Sequence, residues 1–161
     1  FTEVSFPGAE FTGNTDFSGA KFTGNATFPG AEFTEVSFSG AKFTEVSFPG
    51  AEFTGNTDFS RATFTRSAIF SGVSFTKSAN FSGVSFQAEP IFVNIRWGKT
   101  YKARFSNKVN PEDYNFKVSH DSPYKIETRE QEHNGIKFVI PEDTELFDPD
   151  KYFEQERNNE N

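Results

Sequence analysis

The chain has 161 residues, a net charge of −7, no cysteine and no methionine. Without cysteine, disulfides and thiolate metal sites are excluded, and the mild acidity argues against direct, general nucleic-acid binding. No run of eighteen apolar residues occurs, so no membrane-spanning helix is expected.

From Phe1 to Phe92 a phenylalanine returns every five or six residues, eighteen times in all. Residue 1 is not an initiator methionine and falls inside a repeat, so a processed chain or a piece of something longer is expected, and no compartment follows. The steps are of two kinds. One is always five residues and in its purest form reads Phe-(Pro/Ser)-Gly-Ala-(Glu/Lys)-Phe, as in Phe6 to Phe11 and Phe17 to Phe22. The other is five or six and begins Phe-Thr, as in Phe33 to Phe38 and Phe22 to Phe28. Residues 1–17 and 43–59 are identical, so some copying is recent.

Two positions before each phenylalanine stands a small or β-branched residue: Val4, Ala9, Thr15, Ala20, Ala26, and so on until Pro90 precedes Phe92. The residue between is usually polar, as at Glu10, Asp16 and Lys21. Alternation of small-in, polar-out, Phe-in is the period of a strand. A strand this short buries nothing alone and must stack on the next turn of the chain.

This unit resembles the pentapeptide repeat proteins over residues 1 to about 92. The resemblance implies an all-β chain, a right-handed quadrilateral β-solenoid with four units per coil. The sequence departs from the family pattern by using Phe where Leu is usual and by relaxing the strict period of five. Counted by fours, the phenylalanines fall into columns led by Phe1, Phe6, Phe11 and Phe17, with every six-residue step on one of two opposite sides. The structural core is then expected to include Phe11, Phe22, Phe33, Phe43, Phe53, Phe64, Phe75 and Phe86. At 4.8 Å per coil the rod is about 20 Å long.

Around and beyond Phe64 the corners turn basic at Arg61, Arg66 and Lys77, and Pro90 ends the pattern. A solenoid end needs a cap, and Ile95 with Trp97 is the natural candidate. Residues 93–161 do not repeat and read as a small C-terminal β-rich cap or subdomain with an acidic tail, beside the solenoid domain 1–92. Residues 100–105 alternate like a strand, and 115–118 suggest another. Residues 124–130 and 136–140 flank His133-Asn134-Gly135, and Asn-Gly between alternating runs is a strong hairpin signal. A short helix is expected over 150–156.

Chemistry-bearing constellations are sparse. Arg96, Lys99, Lys102, Arg104 and Lys108 form a basic run with no acid among them, either a patch for an anionic partner or a solvated strand face paired with the acidic tail. His120 and His133 fall in loop and turn and lack the surrounding groups of a catalytic site. The pairs Glu142-Asp143 and Asp148/Asp150 lack calcium-loop spacing. No cofactor, metal or catalytic residue is expected. The favoured reading is a non-catalytic structural or protein-interaction scaffold, a rigid rod that binds partner proteins or self-associates through its ends. The resemblance implies an alternative, a DNA-mimicking binder of DNA gyrase, for which −3 over residues 1–87 (8 acidic, 5 basic) is thin.

Overall fold

In the computed structural model, which describes residues 1–151, the phenylalanines form four straight columns inside a quadrilateral β-solenoid. Each small-x-Phe unit is one side of a coil, and the residues between units turn the corner. Successive coils pair in parallel: Phe11 with Phe33, Phe33 with Phe53 and Phe53 with Phe75 on one side, Phe22 with Phe43, Phe43 with Phe64 and Phe64 with Phe86 on another.

The two kinds of step are two kinds of corner, diagonally placed. At the invariant corners the chain makes a tight turn. In Phe6-Pro7-Gly8-Ala9 the Ala9 N–H donates to the Phe6 carbonyl at 3.4 Å, and Gly8 has φ +62°. A type II turn asks for this order, Pro to preset φ and then a residue free to be left-handed. The same place is held once by Arg61, at φ 57°. At the other two corners the length varies. Against Phe33–Glu35 the register shifts between Phe11 and Asn14, so the extra residue is looped out and the columns stay aligned. Gly55 lies at such a corner, where an added Cβ would fall 1.6 Å from the Thr34 carbonyl oxygen.

From Phe22 to Phe92 every phenylalanine is at most 7% exposed. Along the columns of residues 1–92, neighbouring ring centroids lie 4.8–5.6 Å apart with planes within 18° of parallel. Between columns the rings meet edge to face, as in Phe28 on Phe38 at 6.0 Å and 74°. Both geometries suit the ring quadrupole. Of the expected core residues Phe11 alone is half-buried, because it belongs to the first coil.

The columns run past the expected boundary at Phe92. A hairpin, Val93–Arg96 against Lys99–Lys102, interrupts the repeat. The chain then returns to the rod: Phe105 stacks on Phe75 at 5.0 Å, and Phe116 on Phe81 at 5.7 Å. Arg104–Ser106 continues the parallel ladder, followed by Glu145–Phe147. The strand expected over 100–105 is therefore two strands split at buried Ala103, and that expected at 115–118 is Tyr114–Asn115. The Asn-Gly hairpin forms as expected, Thr128–His133 against Ile136–Pro141, with Asn134 at φ 50° and Gly135 at φ 78°.

Ile95 and Trp97 do not cap the rod; they stand 71% and 90% exposed on the first hairpin. The last coil is closed instead by Phe138 and Ile140 of the second hairpin, with Ile126, in one buried cluster with Tyr114 and Phe116. Tyr114 donates its hydroxyl to the Ser106 carbonyl at 2.8 Å, and burial raises its pKa well above the usual tyrosine range. The helix expected over 150–156 lies, beyond Lys151, outside the described residues.

Replacing Phe48, fully buried in mid-rod, by Ala is expected to cost about 3–5 kcal/mol in denaturant unfolding, and the same change at half-buried Phe6 clearly less. Arg61→Gly should raise stability by roughly 0.5–1 kcal/mol, because a left-handed residue with a Cβ is strained where glycine is not.

Candidate functional site

The residue between the small one and the phenylalanine points outward, so each side of the rod carries one outward column. The first reads Ser5, Thr27, Ser47, Ile69, Ile91. The second begins Glu10, Glu32, Glu52 and continues through Ser74 to Arg104 and Glu145. The third is Asp16, Ser37, Asp58, Asn80, Asn115. The fourth is Lys21, Lys42, Thr63, Ser85. A glutamate column on one side thus faces away from a lysine-headed column on the opposite side.

Between the second and third sides runs a polar groove of about 430 Å³, bordered by Asn14, Glu35, Asn56 and Ser78 with Asp16 and Asp58 behind them. Its two aspartates have a structural task. Asp16 accepts from the Ser18 N–H at 2.8 Å and Asp58 from the Ser60 N–H at 2.8 Å. Ser37, Asn80 and Asn115 accept in the same way from the amides of Ser39, Ser82 and Lys117 at 3.2, 2.9 and 2.9 Å. These are side-chain turns that hold the next corner. The Ser18 hydroxyl, and then its amide, hold the Asp16 carboxyl below the usual carboxylate range. Because that pKa is lowered in the fold, its contribution to stability is present above the ordinary carboxylate pKa and is lost as pH falls through the lowered value. Among the described residues no group of three or more His, Asp or Glu side chains is placed to hold a metal.

The basic run of the sequence is not brought together. Arg96 and Lys99 face each other across the first hairpin. Lys102 lies opposite Val93, and on alternating strands that places it on the hairpin's other face. Arg104 sits on the rod's second side with its guanidinium 5.2 Å from the Phe147 ring centroid. Lys108 pairs with Asp148 at 3.8 Å. His120 contacts Asp121 at 3.2 Å with both side chains in solvent, while His133 is half-buried at the end of the second hairpin.

A second concavity had no separate signal in the repeat pattern. The first hairpin leans along the rod and leaves a cleft of about 440 Å³ between Trp97 and Tyr101 on one wall and Pro49, Gly50, Ile69 and Gly72 on the other. The available clue was Trp97-Gly98 between alternating runs, a hairpin turn with an unusual first residue.

Stacked parallel coils, a phenylalanine at the centre of each side and Pro/Ser-Gly corners define the class: a quadrilateral β-solenoid. A profile described as Pentapeptide repeats (9 copies) matches residues 6–51 and 48–96, and the chain belongs to the pentapeptide repeat family. No curated protein and no solved structure matches it.

If Asp58 serves the corner, Asp58→Asn should be near neutral, since Asn80 already performs that task one coil on. Asp58→Ala should lose about 0.5–1.5 kcal/mol in thermal or denaturant unfolding. A gain in stability on Asp58→Ala would instead mark the carboxylate as one kept for a ligand.

Proposed function

We propose that this chain is a non-catalytic structural scaffold, a rigid rod that binds partner proteins. A single observation carries the reading: the whole interior is given over to stacked rings, with Phe28, Phe38, Phe48, Phe59 and Phe70 fully buried, which makes the coils a rigid frame and leaves the outward columns free to vary.

Phe138 and Ile140 close the last coil, so the outward columns of the four sides are the surfaces that a partner protein meets. The alternative of a duplex mimic draws little from the outward columns, where acidic residues dominate one side and Lys21 and Lys42 lead its opposite.

Affinity capture on the whole chain, followed by sedimentation velocity of the purified complex, tests the proposal. A defined complex with a partner protein is expected, weakened at least about tenfold by reversing charge on one outward column, as in Glu10→Lys/Glu32→Lys or Lys21→Glu/Lys42→Glu, with circular dichroism unchanged. A chain that captures no protein, or that turns over a substrate, would overturn it.

A further inference from the structure

The cleft beside the first hairpin has three features that folding does not require. The first is Trp97. It occupies the leading position of a two-residue turn at φ 50°, followed by Gly98 at φ 73°. Asn or Gly belongs there, and a bulky side chain with positive φ is a true outlier. The indole gains no burial in return, being 90% exposed. Strain of this kind is retained at binding sites more readily than elsewhere.

The second feature is electrostatic. Arg96 and Lys99 are register partners next to that turn. Like charges directly opposite on paired strands destabilise the hairpin. Neither has an ion-pair partner among the described residues, and no Asp or Glu occurs from Pro90 to Pro111. Asn94 and Tyr101 are also register partners, on the same hairpin face as Arg96 and Lys99, and Asn94, Arg96 and Tyr101 all line the cleft.

The third is the opposite wall. Ile69 replaces the Ser and Thr that precede it in the first outward column, which is Ser5, Thr27, Ser47 before it. The apolar substitution occurs just where the hairpin lies alongside. Gly50 and Gly72 present bare backbone, and a Cβ added at Gly72 would lie 3.9 Å from the Tyr101 side chain. An apolar floor, two aromatic side chains and, at one end, two cations without an ion-pair partner among the described residues, with the Arg96 guanidinium 6.0 Å from the Trp97 ring centroid, make a site of mixed chemistry.

We propose that this cleft binds an acidic peptide segment with an aromatic anchor. The anchor lies between Trp97 and Tyr101 over Ile69, and the carboxylates meet Arg96 and Lys99. Charge complementarity selects the acidic flanks; Ile69 and Pro49 favour an apolar anchor over the hydroxyls of a sugar.

Trp97 is the only tryptophan of the chain, so its emission reports the site directly. The probe is a ten-residue synthetic peptide of glutamates around a central Tyr-Phe pair, titrated into the whole chain at low and at high salt. Saturable change in Trp97 emission is expected, weakening as salt rises. An Arg96→Glu/Lys99→Glu variant should bind at least about tenfold more weakly, the size expected from reversing charges at an interface. By calorimetry, Trp97→Asn should lose binding while its melting temperature rises, which a merely structural tryptophan would not do. Equal affinity for an all-glutamate peptide lacking the aromatic pair would overturn the proposal, as would a change in emission with cellohexaose but none with the peptide. A fall in melting temperature for Trp97→Asn, or no binding of the acidic aromatic peptide, would overturn it as well.

Discussion

Everything in this molecule depends on a match between two distances. Parallel strands stack about 4.8 Å apart, and offset aromatic rings are comfortable at about 4.5–7 Å. A phenylalanine at the same place in every coil therefore stacks on its neighbour without bending the backbone, and the observed 4.8–5.6 Å columns are the result. The rings of adjacent columns then meet edge to face, which fills the square interior with one residue type. The small residue two positions earlier is the other half of the packing. Ala26, Ala31, Val36 and Ala41 are all buried, leaving room for the rings beside them.

Such a core tolerates irregularity only where it does not reach the columns. The corners supply that tolerance. At two diagonal corners a tight turn fixes the length at five residues. At the other two, length varies and the surplus is looped out, as beside Phe11. Polar side chains one place before the phenylalanine then steady the next turn, so Asp16, Asp58, Asn80 and Asn115 are parts of the frame before they are anything else. Their carboxylates and amides are interchangeable in that task, which is why the third side reads as a mixture of Asp, Ser and Asn.

The surfaces left over from this economy are the informative ones. The first hairpin holds a strained, exposed tryptophan and opposes two like charges, and neither feature contributes to the stability of the rod. A rod with a closed C-terminal end and a lateral cleft fits the proposed scaffold.

Sequence alone marked the small-x-Phe strands of residues 1–92 and their need to stack, because units this short bury nothing singly; the four-sided coil came from the resemblance to the pentapeptide repeats. The sequence also determined the Asn134-Gly135 hairpin, where local backbone chemistry suffices. It left the further coils hidden. Ala103-Arg104-Phe105 and Thr144-Glu145-Leu146 carry the same small-x-apolar unit, yet insertions separate them from the run, so no local period marks them. The exchange of cap residues has the same cause: Ile95 and Trp97 follow the repeat directly, whereas Phe138 and Ile140 reach the end of the rod only after the chain has folded back. The basic run was visible as composition, but its division between two faces of a hairpin, the rod's second side and an ion pair with Asp148 follows from strand register and long-range packing. Those are properties of residues far apart in the chain, and they arise only once the chain has folded.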